Sequence, residues 1–352
     1  MMFNPYLLLV TFSAPRLDQL DRGRIAVVNS FPYDGVALTV MGAYEAGDVP
    51  GMEQMDGVVR LVRRECRRHV WPWVFLNRII GHRPGARAHR GARVNPYFRR
   101  IRGMDLENSA GALADFLEVW RLSLRLAREM EAPGIVFDPE AYNDYRVYDP
   151  VFLADVRGED VGETLSLFRR LGGRLAEIAA EEYPGALVWA LFTGLDGEPR
   201  YGCGGMLRTT AYLFEGFLEK AVRDGLRLKV VDGGETSVGY YNPSLEALRA
   251  RVSSRALRAK PFLDRYGGKL VLAAPIAPYR DAYATSGWLR RAIGSSPPLK
   301  TLDDLIPLFR ELLETYRLIW VYAASAASFF PFKPGADAYH EAITRLKQAF
   351  GK

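Results

Sequence analysis

The sequence predicts a closed (β/α)8 barrel, a TIM barrel with enlarged loops on its active face, and three observations predict it. Eight short apolar runs recur along the 352 residues, helical patterns or crossovers separate them, and no linker or compositional break divides the chain. Buried parallel strands read as continuous apolar runs, and eight βα steps in a chain of this length is the arithmetic of such a barrel. A doubly wound open sheet, the competing arrangement, usually carries a glycine-rich phosphate fingerprint after its first strand, and none is present here. The expectation is therefore one domain over residues 1–352.

The first strand is Tyr6 to Phe12, and Asp18 to Ser30 forms a short helical or irregular crossover. Asp34-Gly35 opens the second strand, Val36 to Val40. From Met52 to His69 apolar residues fall at helical spacing (Met55, Val58, Val59, Val62, Cys66) with arginines opposite, which makes an amphipathic helix. The third strand, Trp73 to Leu76, stops at Asn77. Residues 79–108 show no period and are rich in Arg, Gly and Pro; inside a domain so long a loop is more often functional than structural. Ser109 is placed to cap a helix over Ala110 to Met130, which delivers the chain into the fourth strand, Gly134 to Phe137.

Thr164 to Glu182 is again amphipathic and ends at Tyr183-Pro184-Gly185. The fifth strand follows, Ala186 to Phe192. Met206 to Arg223 is helical, and Leu228 to Val231 is the sixth strand. Ser244 to Tyr266 is helical, and the seventh strand, Lys269 to Ala274, is broken by Pro275 and Pro278. Leu302 to Tyr316 is helical, Leu318 to Tyr322 is the eighth strand, and Ala336 to Phe350 closes the chain with a last helical pattern.

Composition bounds the function. Hydrophobic residues at 49% and charged residues at 25% are those of an ordinary soluble globular protein. The net charge of +6 is concentrated, with thirteen arginines between Arg60 and Arg102, which would suit a phosphate-binding face. A solvated helix face followed by a basic loop explains it as well, and no nucleic-acid motif accompanies it, so nucleic acid is not the expected partner. Cys66 and Cys203 make neither a disulfide framework nor a zinc site. His69, His82, His89 and His340 lack metal-ligand spacing, and no cofactor is expected. No signal peptide or membrane span is recognisable, so the expected location is cytoplasmic. Only three Gln and seven Asn in the chain lean toward a thermophilic source. Nothing indicates an oligomeric state.

In such a barrel the strands aim their C-terminal ends at one face, where reacting groups gather. Strand 3 ends on Asn77, strand 4 on Asp138 and Glu140, strand 5 on Thr193 and Asp196, and strand 6 on Asp232 and Glu235. Strand 8 carries Trp320 and Tyr322, while Tyr142, Trp189 and Tyr240 add aromatic surface. Opposed carboxylates with aromatic walls suit cleavage of a glycosidic bond: one carboxyl protonates the leaving oxygen, and the other attacks, activates water or steadies the oxocarbenium-like centre. The close Asp138 and Glu140 pair separates its pKa values, leaving one of the two protonated and able to act as the acid, with Glu235 or Asp232 opposite. Asn77, Tyr142, Trp189, Tyr240, Trp320 and Tyr322 are the expected carbohydrate contacts. Each of these has a plainer reading: a strand-end acid can cap a helix or pair with an arginine, and Trp189 and Trp320 suit a core.

The run Phe137-Asp138-Pro139-Glu140-Ala141-Tyr142 on the fourth strand resembles the Asp-x-Glu ending of family 18 chitinases and related glycoside hydrolases. That resemblance implies Glu140 as proton donor, Asp138 as its partner and Trp320 as the floor of the sugar site. Pro133 and Val136 stand where the family has its earlier aspartates, and Asp232-Gly233-Gly234-Glu235 replaces its strand-6 tyrosine pattern, so an N-acetylated substrate is not implied. Two other functions fit parts of the pattern. Three of the four acids could hold Mg²⁺ for enolate or aldol-type chemistry. Alternatively, a non-enzymatic barrel could bind an anionic polymer through Arg60 to Arg102.

Overall fold

A computed structural model describes residues 6–11, 15–41, 49–76, 112–140, 148–196, 204–239, 242–277, 302–323, 341, 343–345, 347 and 348. Nine parallel strands form its sheet: β1 (Tyr6–Thr11), β2 (Gly35–Thr39), β3 (His69–Phe75), β4 (Gly134–Asp138), β5 (Leu187–Ala190), β6 (Lys229–Asp232), β7 (Leu270–Leu272), β8 (Ala274–Ile276) and β9 (Leu318–Ala323). They are ordered β7-β6-β5-β4-β3-β2-β1-β9-β8. Because β7 and β8 are consecutive pieces of one segment, parted only at Ala273, the sheet returns to its own start. The first piece pairs with β6 and the second with β9. This is the (β/α)8 barrel that the sequence predicts, with its seventh strand divided between two neighbours.

Helices occupy the crossovers: α1 (Arg22–Ser30), α2 (Met52–Glu65), α3 (Ala112–Glu129), α4 (Pro150–Arg157), α5 (Val161–Glu182), α6 (Gly204–Arg223), α7 (Leu245–Tyr266) and α8 (Leu302–Thr315). No described helix is long and apolar enough to cross a membrane.

Ring contacts determine which way each strand residue points. Tyr6, Trp71 and Trp189 come from β1, β3 and β5, which are not neighbours, yet Tyr6 meets Trp71 at 5.9 Å and Trp71 meets Trp189 at 5.7 Å. They can meet only across the barrel interior. The register then carries the assignment to other strands, since directly opposed residues in a parallel ladder share a face and alternate residues repeat it. Val136 and Val231 lie level with Trp189, and Trp320 lies level with Leu8, two residues after Tyr6. Val136, Asp138, Val231, Trp320 and Tyr322 therefore point inward. Phe137 points outward, where Phe116 and Trp120 of α3 and Phe214 of α6 surround it. Ala190 and Asp232 share its level and its outward direction.

The structure departs from the sequence reading in four places. The helix expected to reach His69 ends at Glu65, and β3 begins at His69 instead of Trp73. Pro72 stays within that strand despite lacking an N–H, because Trp71 and Trp73 fill the interior and outweigh one lost ladder bond of about 1 kcal/mol. A helix absent from the reading, α4, is started by Asp149, whose carboxylate accepts the N–H groups of Val151 and Phe152, with Pro150 at its first position. The next helix starts at Val161 rather than Thr164, capped by Asp160. Pro275 does not break the seventh strand but sits in β8 opposite Trp320. The proposed Ser109 cap and residues 79–108 lie outside the described residues, as does much of the last helical pattern.

Candidate active site

The fourth strand ends on a carboxylate facing into the barrel. Asp138 is buried, and its Oδ1 accepts the backbone N–H of Glu140 at 2.9 Å. This side-chain-closed turn around Pro139 swings the chain off the strand and leaves Glu140 half-buried beyond its end. Tyr148 returns the chain nearby: burial, reinforced by the Asp138 charge, pushes its phenol well above the usual value.

The sixth strand corrects the sequence reading. Asp232, expected to face the pocket, points the other way, toward the helices. Its Oδ2 accepts the Thr193 hydroxyl at 2.6 Å and its Oδ1 the Gly234 N–H at 3.0 Å. The guanidinium of Arg255, from α7, stands 3.2 Å from Oδ1. Asp196 pairs with the same guanidinium and accepts the Ser237 hydroxyl at 3.1 Å. Burial, and then the Asp196 charge, raise the Asp232 carboxyl more than Arg255 and Thr193 lower it. An acid on the helix side of β6, enclosed by these groups, cannot reach a substrate in the barrel mouth.

Glu235 follows in the turn after β6. Gly233 N–H donates to Ala190 O at 2.7 Å and Glu235 N–H to Leu191 O at 3.1 Å, stitching the turn onto the end of β5. Leu191 N–H in turn donates to Phe137 O at 3.0 Å. Glu140 and Glu235 thus flank the C-terminal end of β5, on strands two spacings apart, roughly 10 Å between backbones.

Trp320 is buried beneath this turn, donating its Nε1–H to Gly233 O at 2.9 Å and meeting the half-buried Tyr322 edge-on at 6.2 Å. Trp189 is wholly buried among Tyr6 and Trp71, so it is core and not pocket wall. Asn77, Tyr142 and Tyr240 lie outside the described residues. So does most of the arginine-rich stretch. In its described part Arg60, Arg63 and Arg64 each stand within 4 Å of a carboxylate, of Asp56, Glu131 and Glu65 respectively, as a solvated helix face would. Among the described residues no group of three His, Cys, Asp or Glu side chains is placed to hold a metal ion.

Strand ends alone did not reveal the arginines of α7. Arg251 Nη1 donates to Val238 O at 3.3 Å and Asn242 Oδ1 at 2.8 Å. Arg255 Nη2 donates to Asp232 O at 2.9 Å, and Arg258 Nε to Asp196 O at 2.7 Å. The signal was present as arginines at i, i+4 and i+7, one side of a helix, interleaved with the buried Leu248, Val252 and Ala259.

No protein-family model matches the chain, and no curated protein sequence does. Among solved structures it is similar to the full-length tri-modular endo-beta-1,4-glucanase B (Cel5B) of Bacillus halodurans, with TM-score 0.51 and 11% identity over 99% of this chain and 60% of that one. The catalytic domain of a beta-amylase from Paenibacillus polymyxa aligns with TM-score 0.45 and 12% identity, covering 99% of this chain and 100% of its own. A D-psicose 3-epimerase aligns with TM-score 0.45 and 8% identity, again over 99% and 100%. The glucanase likeness is one of fold, and the two weaker ones carry no argument about chemistry. What the comparisons establish is the TIM-barrel architecture.

Proposed function

We propose that this chain is a glycoside hydrolase in which Glu140 is the general acid and Glu235 the second carboxylate. The observation that carries the reading is the placement of these two acids on either side of the β5 terminus, with the inward-facing Asp138 bonded to the Glu140 backbone. Two carboxyl groups across a cleft are the minimal equipment for glycosidic cleavage. Asp138 acts by fixing the turn that carries Glu140. The half-buried Tyr322, packed on the buried Trp320, supplies an aromatic surface on that face, and an oligo- or polysaccharide is the substrate class that such acids and such a ring would take. Asp232 has no part in the chemistry. The Asp-x-Glu likeness to family 18 chitinases supports the role given to Glu140 and says nothing of the sugar.

The test is hydrolysis of a panel of neutral and acidic glycans by the full chain, by Glu140→Gln and by Glu235→Gln. Release of reducing ends by the parent chain, lost in both folded variants, is the expected result. Full turnover by either variant on a glycan that the parent cleaves would overturn the assignment of that residue.

A further inference from the structure

The turn that carries Glu235 has few apolar anchors of its own. It begins Asp232-Gly233-Gly234, and Gly234 adopts φ of 72°. Two adjacent glycines leave the backbone free to wander unless something outside holds it. Polar groups supply that hold. Trp320 takes the carbonyl of Gly233, Arg255 that of Asp232 and Arg251 that of Val238, at 2.9, 2.9 and 3.3 Å. The carbonyls at the start and end of the turn are thus gripped by two arginines four residues apart on one face of α7.

Arg255 does more than hold one carbonyl. Its guanidinium is fully buried and also donates to the Ala273 carbonyl, in the gap between β7 and β8. It pairs with Asp196 beyond β5 and lies 5.5 Å from the centre of the Tyr316 ring, just before β9. One side chain therefore ties together the ends of β5 and β6, the divided seventh strand and the approach to β9. A planar fork with five donors can do this, whereas an ammonium cannot span the same acceptors.

We propose that Arg255 is a positioning residue for Glu235: anchored in the barrel's seam, it fixes the 232–239 turn and with it the direction of the Glu235 carboxyl. The catalytic part rests on the hydrolase reading above; the grip on the turn does not. Arg255→Lys keeps the cation and gives up the fork. Misplacing a catalytic group by about an ångström costs on the order of 100-fold in rate, with little effect on contacts made elsewhere by the substrate.

The experiment compares the full chain with Arg255→Lys by amide hydrogen exchange and by kcat and KM on a glycan that the parent cleaves. The expected result is exchange at least about tenfold faster over residues 233–239, unchanged over β1 to β4, with kcat down about 10- to 100-fold and KM within about twofold. Unchanged exchange in the folded variant overturns the grip. Faster exchange with unchanged kcat overturns the link to Glu235. Should Arg255→Lys fail to fold, Arg251→Lys loosens the other end of the same turn and must meet the same criteria. If the parent cleaves no glycan, the hydrolase reading fails and the exchange measurement still decides the grip.

Discussion

The Asp232 carboxylate and the Arg255 guanidinium stand 3.2 Å apart on the helix side of the barrel wall, both side chains buried. Asp196 shares the same cation. Two acids and one base withdrawn from water leave a negative charge uncompensated when both acids ionise, so the cluster favours keeping a proton.

That proton makes stability depend on pH. Burial and Asp196 push the Asp232 carboxyl from an ordinary 3.8 up to about 7. A raised acid binds a proton in the native state that the unfolded chain has already released. Its stabilising contribution is complete below about pH 4 and is lost as pH rises through about 7, at up to about 1.4 kcal/mol per unit. Asp232→Asn removes the titration. Between about pH 5 and pH 7.5 the parent should therefore lose more than about 1 kcal/mol relative to the variant. Urea melts of both chains at the two pH values check this, and a constant difference would contradict it.

Gly234 tests the crowding around the same guanidinium. A methyl group there would lie 2.5 Å from Arg255 Nη1 and 3.0 Å from the Ala273 carbonyl oxygen, at a positive φ. Gly225 also has positive φ, 62°, but open space around it. Gly225→Ala should show only the left-handed backbone penalty of about 1–2 kcal/mol. Gly234→Ala should exceed it by at least about 1 kcal/mol, because the clash falls on a group that cannot move without breaking the cluster. Equal losses on thermal melting would mean that Arg255 is free to shift.

How much of this was legible beforehand differs between the strands and the groups around them. Strand-length apolar runs and their count of eight gave the barrel, since burial on both faces leaves that mark in composition. Asp138 and Asp232 were legible as acids at strand ends, but their directions were not: Gly134 to Phe137 and Val230 to Val231 are both apolar at every position, so nothing in either run says which residues face the helices. Only the Tyr6–Trp71–Trp189 contacts across the barrel, read through the register, resolve that. Trp189 and Trp320 were ambiguous for the same reason, large apolar residues suiting either a core or a sugar platform. The α7 arginines were visible as a pattern, but arginines on a helix ordinarily face water, and it takes the gap at Ala273 to give Arg255 a reason to be inside.

Two adjacent glycines on α5 should respond to the same substitution with opposite signs. A Cβ on Gly172 would fall 1.8 Å from the Leu213 carbonyl oxygen of α6, where the two helices touch backbone to backbone. Its neighbour Gly173 would meet only the Gly216 oxygen at 3.8 Å, an ordinary contact. Gly173→Ala should stabilise by about 0.5–1 kcal/mol through reduced backbone freedom. Gly172→Ala should destabilise by about 1–3 kcal/mol by forcing the helices apart. Denaturant melts of the two variants decide it, and matching signs would mean that α5 and α6 do not pack this way.

The sharpest division between the acids concerns turnover. Glu140 and Asp232 were both read as site carboxylates at strand ends, and the structure turns the Asp232 side chain toward the helices. Replacing a general acid with its amide removes the proton donor while keeping its shape, so Glu140→Gln should lower kcat by about 100- to 10,000-fold on a substrate with a poor leaving group. The loss should shrink on an aryl glycoside, whose leaving group departs without protonation. Asp232→Asn leaves the Asp232 carbonyl to Arg255 and the inner face of β6 untouched, so kcat should fall by no more than about tenfold. Measuring both variants on both substrates separates chemistry from folding, because a loss through misfolding would be the same whatever the leaving group. A loss in Asp232→Asn as deep and as dependent on the leaving group as that in Glu140→Gln would place Asp232 in the reaction after all, and the outward direction of its side chain would be wrong.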